Sequence, residues 1–150
     1  MIEVGTKAPA FSLKDSSGKV HKLSDYKGRK LVVYFYPKDD TPGCTIEAKD
    51  FTKMLPEIRK AGADVVGISN DSEESHCDFE DKYRLNVTLL SDPKNETIKA
   101  YKSYGDKGIF GMGTIRKTYI LDESGKILKI YPKVHAIGHA KEVLSALGSL

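Results

Sequence analysis

The segment Leu31-Val-Val-Tyr-Phe-Tyr-Pro-Lys-Asp-Asp-Thr-Pro-Gly-Cys-Thr-Ile-Glu47 decides the fold of this 150-residue chain. Its first six residues are an unbroken apolar run rich in β-branched and aromatic side chains, which predicts a strand buried on both faces. Pro37 ends this strand because proline lacks the N–H that a sheet ladder requires. The segment therefore begins with the central strand of a covered sheet.

Cys44 lies at the start of a predicted helix in the same segment. Thr41 is a preferred N-cap residue and Pro42 a preferred first helical residue. Cys44 then falls in the first turn, where free backbone N–H groups and the positive end of the helix dipole stabilise a thiolate. This position favours a nucleophilic cysteine. The competing interpretation is a small buried hydrophobe, which is the usual role of a single intracellular cysteine.

The motif in this segment resembles a known family signature. Pro37, Thr41 and Cys44 have the spacing Pro-x3-Thr-x2-Cys, and the longer run Tyr-Pro-x3-Thr-Pro-Gly-Cys-Thr-x-Glu ends at Glu47. This pattern is similar to the peroxidatic motif of peroxiredoxins, in particular the peroxiredoxin Q or bacterioferritin-comigratory branch. Further blocks that resemble the family, in the same order along nearly the whole chain, are Val4–Leu13, Val66–Ser69, Leu89–Asp92 and Arg116–Asp122.

The resemblance implies a thiol-dependent peroxidase that reduces hydrogen peroxide and organic hydroperoxides. It makes Cys44 the nucleophile that becomes a sulfenic acid, with the Thr41 hydroxyl near the sulfur and Pro37 as a shield. It assigns Arg116 as the cation that holds the thiolate, and Glu47 as a hydrogen-bonding neighbour. On the residues alone, Thr41 can simply cap the helix, Arg116 can be a surface cation, and Glu47 can be a surface acid complementing the helix dipole.

The second cysteine departs from the pattern of many members of this branch. They carry a resolving cysteine five residues after the first, where this chain has Lys49. The remaining thiol is Cys77, about 200° around its predicted helix from Phe79 and therefore off the core face. Neighbouring acids favour a normal or high pKa for Cys77, which suits a resolving thiol.

Three ways of regenerating the enzyme stay open at this point. An intrachain bond between Cys44 and Cys77 requires local unwinding, because adjacent helices lie farther apart than a disulfide can span. The second possibility is a bond between two chains. The third is a one-Cys enzyme that an external thiol reduces directly. In each case the resemblance implies a thioredoxin-like or other thiol reductant as partner, and we expect a monomer or a weak homodimer.

The same residues bear on two other function classes and on a possible metal site. A thioredoxin-like disulfide reductase expects Cys-x-x-Cys, but Glu47 occupies the second position. A non-enzymatic binding module on the same fold would leave Cys44 unreactive. His135 and His139 have a spacing that suits two metal ligands, but no acid or cysteine cluster accompanies them. We predict surface histidines, no metal and no cofactor.

The composition indicates a soluble globular protein, with 39% hydrophobic and 30% charged residues. A single domain over residues 1–150 fits the usual domain size. No apolar run approaches the ~20 residues that span a bilayer, and the first seven residues lack a secretory h-region. We therefore expect a cytoplasmic protein without a membrane partner. The formal charge of +3 is spread among acids rather than gathered in a stripe, which argues against nucleic-acid binding.

The order of the remaining elements predicts an α/β fold. Alternating residues before and after Asp15–Gly18 predict an N-terminal β-hairpin, and residues 116–131 predict a second hairpin. Strands and helices alternate between them, with a helix over 95–104 and a kink or break at Pro56. Residues 105–114 are predicted as a flexible glycine-rich loop. Together these elements resemble a thioredoxin-like fold, with a central mixed sheet covered by helices on both faces.

Overall fold

A seven-stranded mixed sheet forms the centre of the computed structural model, which describes residues 2–150. In chain order, the strands of the described residues are β1 (Ser12–Asp15), β2 (Val20–Lys22), β3 (Lys30–Phe35), β4 (Ala63–Ser69), β5 (Thr88–Ser91), β6 (Tyr104–Asp106), β7 (Met112–Thr114), β8 (Lys117–Leu121) and β9 (Ile127–Tyr131). The helices are α1 (Pro42–Lys60), α2 (Glu73–Tyr83), α3 (Glu96–Ala100) and α4 (His139–Leu147). The order in the large sheet is β2-β1-β5-β4-β3-β8-β9, while β6 and β7 form a separate hairpin.

Strand β3 lies inside the sheet, with β4 parallel on one side and β8 antiparallel on the other. Its side chains alternate between two apolar clusters, as the pleat of a strand dictates. Tyr34 and its same-face neighbours pack with residues of α1, α2 and α4. Phe35 and its same-face neighbours pack with Ile98 and Tyr101 on the opposite face. The predicted strand, buried on both faces, is confirmed.

One edge of the sheet collects the ends of several strands. Strands β3, β4 and β5 are parallel neighbours, so their carboxyl ends meet at this edge. Strand β8 runs the other way, and Lys117 at its start pairs with Phe35 at the end of β3. Arg116 therefore comes next to the loop that leads into α1. The pairing brings residues that are distant in sequence to the same place.

Both predicted hairpins are present, as β1–β2 and β8–β9. The helix predicted over 95–104 is wrong beyond Ala100, because Lys102 adopts a positive φ of 56° and ends the helical path. The predicted loop at 105–114 instead contains part of the β6–β7 hairpin. Helix α1 continues through Pro56 without a break. Among the described residues, no helix combines the length and the apolar character that crossing a membrane requires.

Candidate active site

The start of α1 is built as the sequence predicts, with one exception. Thr41 is the N-cap in extended backbone conformation, and its carbonyl accepts the first helical bond from Thr45 N at 2.8 Å. The Thr41 side chain does not cap the helix, because its hydroxyl donates to the Lys38 carbonyl at 2.8 Å. Pro37 is half-buried just after β3. The Thr41 hydroxyl thus folds back onto the loop that precedes the helix.

Cys44 occupies the first turn of α1 and is 2% exposed. The Arg116 guanidinium, from the start of β8, donates from Nη2 to Cys44 Sγ at 3.3 Å. A fixed positive charge beside the sulfur stabilises the thiolate relative to the thiol. The buried Cys44 sulfur therefore lies beside both a cation and the amino end of a helix.

Glu47 lies one turn further along α1 and is completely buried. Its Oε1 accepts a hydrogen bond from Arg116 Nη1 at 2.6 Å, whereas Oε2 has no hydrogen-bond partner among the described residues. Burial raises the pKa of Glu47 to about 7, and the opposing effect of Arg116 is smaller. Arg116 thus holds Glu47 and Cys44 together across 69 and 72 positions of sequence.

The pKa of Arg116 responds to both neighbours. Burial on its own lowers this pKa, but the charges of Glu47 and then of Cys44 outweigh burial and raise it. The ion pair therefore raises the pKa of Arg116 but does not bring the pKa of Glu47 down to its usual value. Burial of Glu47, whose Oε2 has no hydrogen-bond partner among the described residues, outweighs the attraction of Arg116. Gly43 leaves room for the guanidinium, since a Cβ there would lie 3.1 Å from Arg116 Nη2 and would require a small shift of that group. Sequence reasoning did not identify this role for Gly43.

A polar network beside the site was not predicted from the sequence. Asp39, in the loop before α1, accepts from the Tyr36 hydroxyl at 2.6 Å and the Ser75 hydroxyl at 2.8 Å. The same carboxylate lies 2.6 Å from His76 Nδ1. Asp71 accepts from Asp39 N at 2.9 Å. The network joins the loop before Cys44 to the start of α2.

The acids of this network resemble a metal site only in composition. One ligand atom each from Asp39, Asp71 and His76 lies within 4.8 Å of the others. Both nitrogens of His76 are engaged in hydrogen bonds, to Asp39 and to the Leu90 carbonyl. No ring nitrogen of His76 is therefore left to bind a cation, and the group fits a buried ion pair.

Cys77 lies on the solvent side of α2, as its helical phase predicts. Its Sγ is 4.0 Å from Asp81 Oδ2. The negative charge of Asp81, followed by burial and the nearby acids of α2, raises the pKa of the Cys77 thiol. Cys44 and Cys77 are both free thiols, one buried and one exposed.

The two C-terminal histidines differ from the prediction in one case. His135 is exposed, as expected, but His139 is buried. The His139 ring contacts Thr118 Oγ1 at 2.8 Å and Glu142 Oε1 at 3.0 Å. Burial lowers the pKa of His139 more than Glu142 raises it. The surface prediction for His139 is wrong because α4 packs this residue against α1 and β8.

Two clefts flank the molecule at opposite ends of the sheet. One, of about 400 Å³, is lined by residues of the Asp39–Asp40 loop and by α2 from Glu74 to Lys82. The other, of about 300 Å³, lies at the amino end of β3 near Leu31 and Leu121. Neither cleft is lined by a predicted site residue, but the first borders the loop that leads to Cys44 and the helix that carries Cys77.

Known proteins similar to this chain point to one family. Residues 4–130 match the AhpC/TSA family. Peroxiredoxin Bcp from Bacillus subtilis is 42% identical over 149 residues, which cover 97% of this chain and 95% of that protein.

Solved structures are also similar. Peroxiredoxin Q from Xylella fastidiosa has a TM-score of 0.96 at 32% identity, covering 99% of this chain and 97% of that one. The bacterioferritin comigratory protein of Xanthomonas campestris has a TM-score of 0.91 at 37% identity, covering 98% of both chains.

Proposed function

The chain belongs to the AhpC/TSA family and is a thiol-dependent peroxidase with a thioredoxin-like fold, and we propose that Cys44 is the thiol that attacks the peroxide. The observation that carries this proposal is the Arg116 Nη2 donor 3.3 Å from Cys44 Sγ, in the first turn of α1. The cation and the helix dipole both favour the nucleophilic thiolate. Cys77 has neither advantage, since acids surround it.

The first step consumes one peroxide molecule. The Cys44 thiolate attacks the outer oxygen of R–O–O–H, the O–O bond breaks, and sulfur keeps the hydroxyl as sulfenic acid. The leaving oxygen departs as an alkoxide, or as hydroxide when R is hydrogen, and takes up a proton. Arg116 stabilises negative charge as it passes from sulfur to the leaving oxygen, because its donors are already in place.

The other site residues support this step. Thr41 holds the loop before Cys44 through its bond to the Lys38 carbonyl, and its oxygen remains able to accept from the peroxide. Pro37 shields the site from water. Glu47 fixes the orientation of Arg116 through the 2.6 Å contact at Nη1, which leaves Nη2 directed at the sulfur.

Cys77 completes the cycle in this proposal. Its thiolate attacks the sulfenic sulfur of Cys44, the S–S bond forms, and the hydroxyl leaves as water after protonation. A raised pKa makes Cys77 a poor primary nucleophile but suits a resolving thiol. A thioredoxin-like or other dithiol then reduces the disulfide.

The substrate range and the setting are part of the same proposal. The Xanthomonas campestris relative is described for its alkyl peroxide reduction activity. We extend this to hydrogen peroxide and organic hydroperoxides for the present chain. We propose a cytoplasmic monomer or weak homodimer, and the exposed Ile109, Phe110 and Met112 offer apolar surface for a partner.

Peroxide consumption and peptide mapping test this proposal. Cys44→Ser should abolish peroxide reduction, because serine is a far weaker nucleophile.

Arg116→Ala removes a charge-assisted contact worth about 1.5–3 kcal/mol, so peroxide reactivity should fall roughly ten- to a hundredfold. Arg29→Ala is the matched control, since Arg29 pairs with Asp64 away from the site. Substantial activity in Cys44→Ser would end the proposal.

Nonreducing mapping after one equivalent of peroxide separates the modes of regeneration. The proposed mechanism gives a Cys44–Cys77 peptide within one chain. A sulfenic or overoxidised Cys44 with Cys77 still free indicates the one-Cys enzyme recycled by an external thiol. A bond between chains keeps Cys77 as the resolving thiol but places the step between subunits.

A further inference from the structure

Asp39 and His76 connect the two segments that carry the cysteines. Asp39 lies five residues before Cys44, and His76 lies immediately before Cys77. Asp39 Oδ2 is 2.6 Å from His76 Nδ1 and also accepts from the Ser75 hydroxyl at 2.8 Å. Both segments therefore meet at one carboxylate oxygen.

The hydrogen-bond partners of His76 favour its charged form. His76 Nε2 lies 3.0 Å from the Leu90 carbonyl, which can only accept. Nδ1 faces a carboxylate that already accepts from Tyr36 and Ser75. With Asp39 ionised, both ring nitrogens act as donors, and the imidazolium form of His76 satisfies every partner. The side chains of His76 and Asp39 are 0% and 3% exposed, so this is a buried ion pair.

Three acids from three different parts of the fold act on His76. Asp39 comes from the loop before α1, Asp71 from the loop after β4, and Glu80 from α2 itself. Tyr36, from the end of β3, contributes a hydroxyl 3.4 Å from Nδ1. Burial alone lowers the pKa of His76, but Asp39 and these neighbours outweigh it and raise the pKa above 6.5.

A second contact reinforces the connection near the protein surface. Asp40 accepts from Lys82 at 2.7 Å and from the Tyr83 hydroxyl at 2.6 Å. The cleft of about 400 Å³ lies between these contacts and the start of α2. Polar contacts thus join the two segments in addition to the apolar cluster that contains both Cys44 and Phe79.

These contacts oppose disulfide formation. Cys44 is buried and Cys77 is exposed, so at least one must move before the sulfurs reach bonding distance of about 2 Å. Successive residues of a helix point about 100° apart. Rotating or unwinding α2 to turn Cys77 inward therefore withdraws His76 from its pocket. Moving the loop before Cys44 withdraws Asp39 instead.

We propose that the Asp39–His76 ion pair is a latch that holds the folded arrangement and must open before Cys77 bonds to Cys44. The inference rests on the proposed resolving role of Cys77. Closed, the latch keeps Cys77 turned away from Cys44, while Arg116 holds the Cys44 sulfur for reaction with peroxide. Open, it releases the two segments for the disulfide. Asp39 and His76 are thus positioning residues for the second step.

The latch makes the second step sensitive to pH. Because the folded protein raises the pKa of His76, the stabilisation by the pair is fully present below pH 6.5. It is lost as pH rises through the raised value. The rate of disulfide formation should therefore increase as pH rises through the pKa of His76, and this increase should be absent when His76 is replaced. Ionisation of Cys77 also accelerates the step, but it does so equally in the replaced protein.

Rapid mixing with hydrogen peroxide, followed by acid quenching and mass analysis, tests the latch. It separates the rate of Cys44 sulfenate formation from the rate of Cys44–Cys77 bond formation. Asp39→Asn and His76→Asn should each accelerate bond formation at least fivefold at pH 6, and the double variant should gain no more than either single one. Sulfenate formation should stay within about threefold of wild type. His21→Asn, which breaks the 2.7 Å His21–Asp15 pair in the N-terminal hairpin, should change neither rate.

The outcomes distinguish the latch from the resolving role. Bond formation that is unchanged or slower in both variants overturns the latch, while Cys77 remains the resolving thiol. Absence of any Cys44–Cys77 bond in the wild-type protein overturns both proposals.

Where a variant does not fold, amide exchange of the reduced wild-type protein tests the latch instead. After correction for intrinsic rates, segments 37–45 and 73–80 should lose protection together above pH 6.5, whereas β8 and β9 should not; constant protection in both segments contradicts the latch.

Discussion

At the scale of single residues, Arg116 serves two side chains that compete for one positive charge. Its Nη1 donates to Glu47 at 2.6 Å and its Nη2 to Cys44 at 3.3 Å. Two buried anions beside one cation leave an uncompensated charge, which is costly away from water. A neutral Glu47 releases Arg116 to the Cys44 thiolate. This balance explains why a carboxyl is tolerated at position 47 so close to a thiolate.

Glu47→Gln should reveal this balance through the pH dependence of stability. Burial raises the pKa of Glu47 from 4.5 to about 7 in the folded protein. The wild-type protein should therefore be most stable relative to the variant below pH 4.5. This advantage should decline by about 1–3 kcal/mol as pH rises to 7 and beyond. Urea unfolding of the reduced proteins at several pH values measures the difference.

A control on the same helix isolates the effect of burial. Glu57 is an exposed residue of α1, and Glu57→Gln should leave the stability difference nearly flat over the same pH range. A wild-type advantage that instead grows with pH would mean that the ion pair with Arg116 dominates and that Glu47 is ionised throughout.

At the scale of elements, helix α1 rests on aromatic rings that project from β3. The Tyr34 ring stacks on Phe51 with centroids 4.7 Å apart, and Tyr36 lies beside it at 5.6 Å. Strand β4 accommodates these rings because its Gly67 faces Tyr34. A Cβ at position 67 would lie 2.5 Å from Tyr34 Cζ, closer than packed atoms approach. The height of α1 above the sheet thus depends on a glycine in the neighbouring strand.

Gly67→Ala should destabilise the protein by about 1–3 kcal/mol through overpacking. The Tyr34 ring must shift toward α1, because β4 is paired on both sides and holds position 67 in place. Gly148→Ala is the matched control, since its nearest contact is an ordinary 3.4 Å. It should change the free energy of unfolding by less than about 0.5 kcal/mol. Equal effects in the two variants would contradict this account of the packing.

At the scale of the whole molecule, two apolar clusters on opposite faces of the sheet hold the fold together. The cluster under α1 also carries the site, since it includes Cys44 and Phe51. The β6–β7 hairpin instead leaves Ile109, Phe110 and Met112 exposed. The cluster under α1 therefore contributes to the stability of the fold, whereas the hairpin presents apolar side chains to solvent. These three side chains thus lie outside both apolar clusters.

Two phenylalanines make this contrast measurable. Phe51 is 0% exposed and Phe110 is 80% exposed. Phe51→Ala should cost about 3–5 kcal/mol of unfolding free energy, which corresponds to a drop in Tm of roughly 10 °C. Phe110→Ala should stay within about 0.5 kcal/mol of wild type. Calorimetry of the reduced proteins provides the comparison, and a large loss in Phe110→Ala would show that the hairpin is packed in solution.

The local features of the site were predictable from sequence because neighbouring residues determine them. An apolar β-branched run, a proline, and a Thr-Pro pair specify the strand, its end and the start of α1 within twelve residues, 31 to 42. Cys44 follows at a fixed distance and therefore enters the first turn. The solvent-facing position of Cys77 followed in the same way, from helical phase alone.

The surroundings of those residues were decided only by the tertiary structure. Strand pairing brings the ends of β3 and β4 to the start of β8, which places Arg116 beside Cys44 and Asp39 beside His76. The partners in these contacts are separated by 37 to 72 residues, so no local pattern announces them. His139 was predicted at the surface and is buried for the same reason, because burial depends on what packs against a residue. Local sequence patterns determined where the cysteines lie along their helices, whereas sheet pairing determined which charged side chains lie beside them.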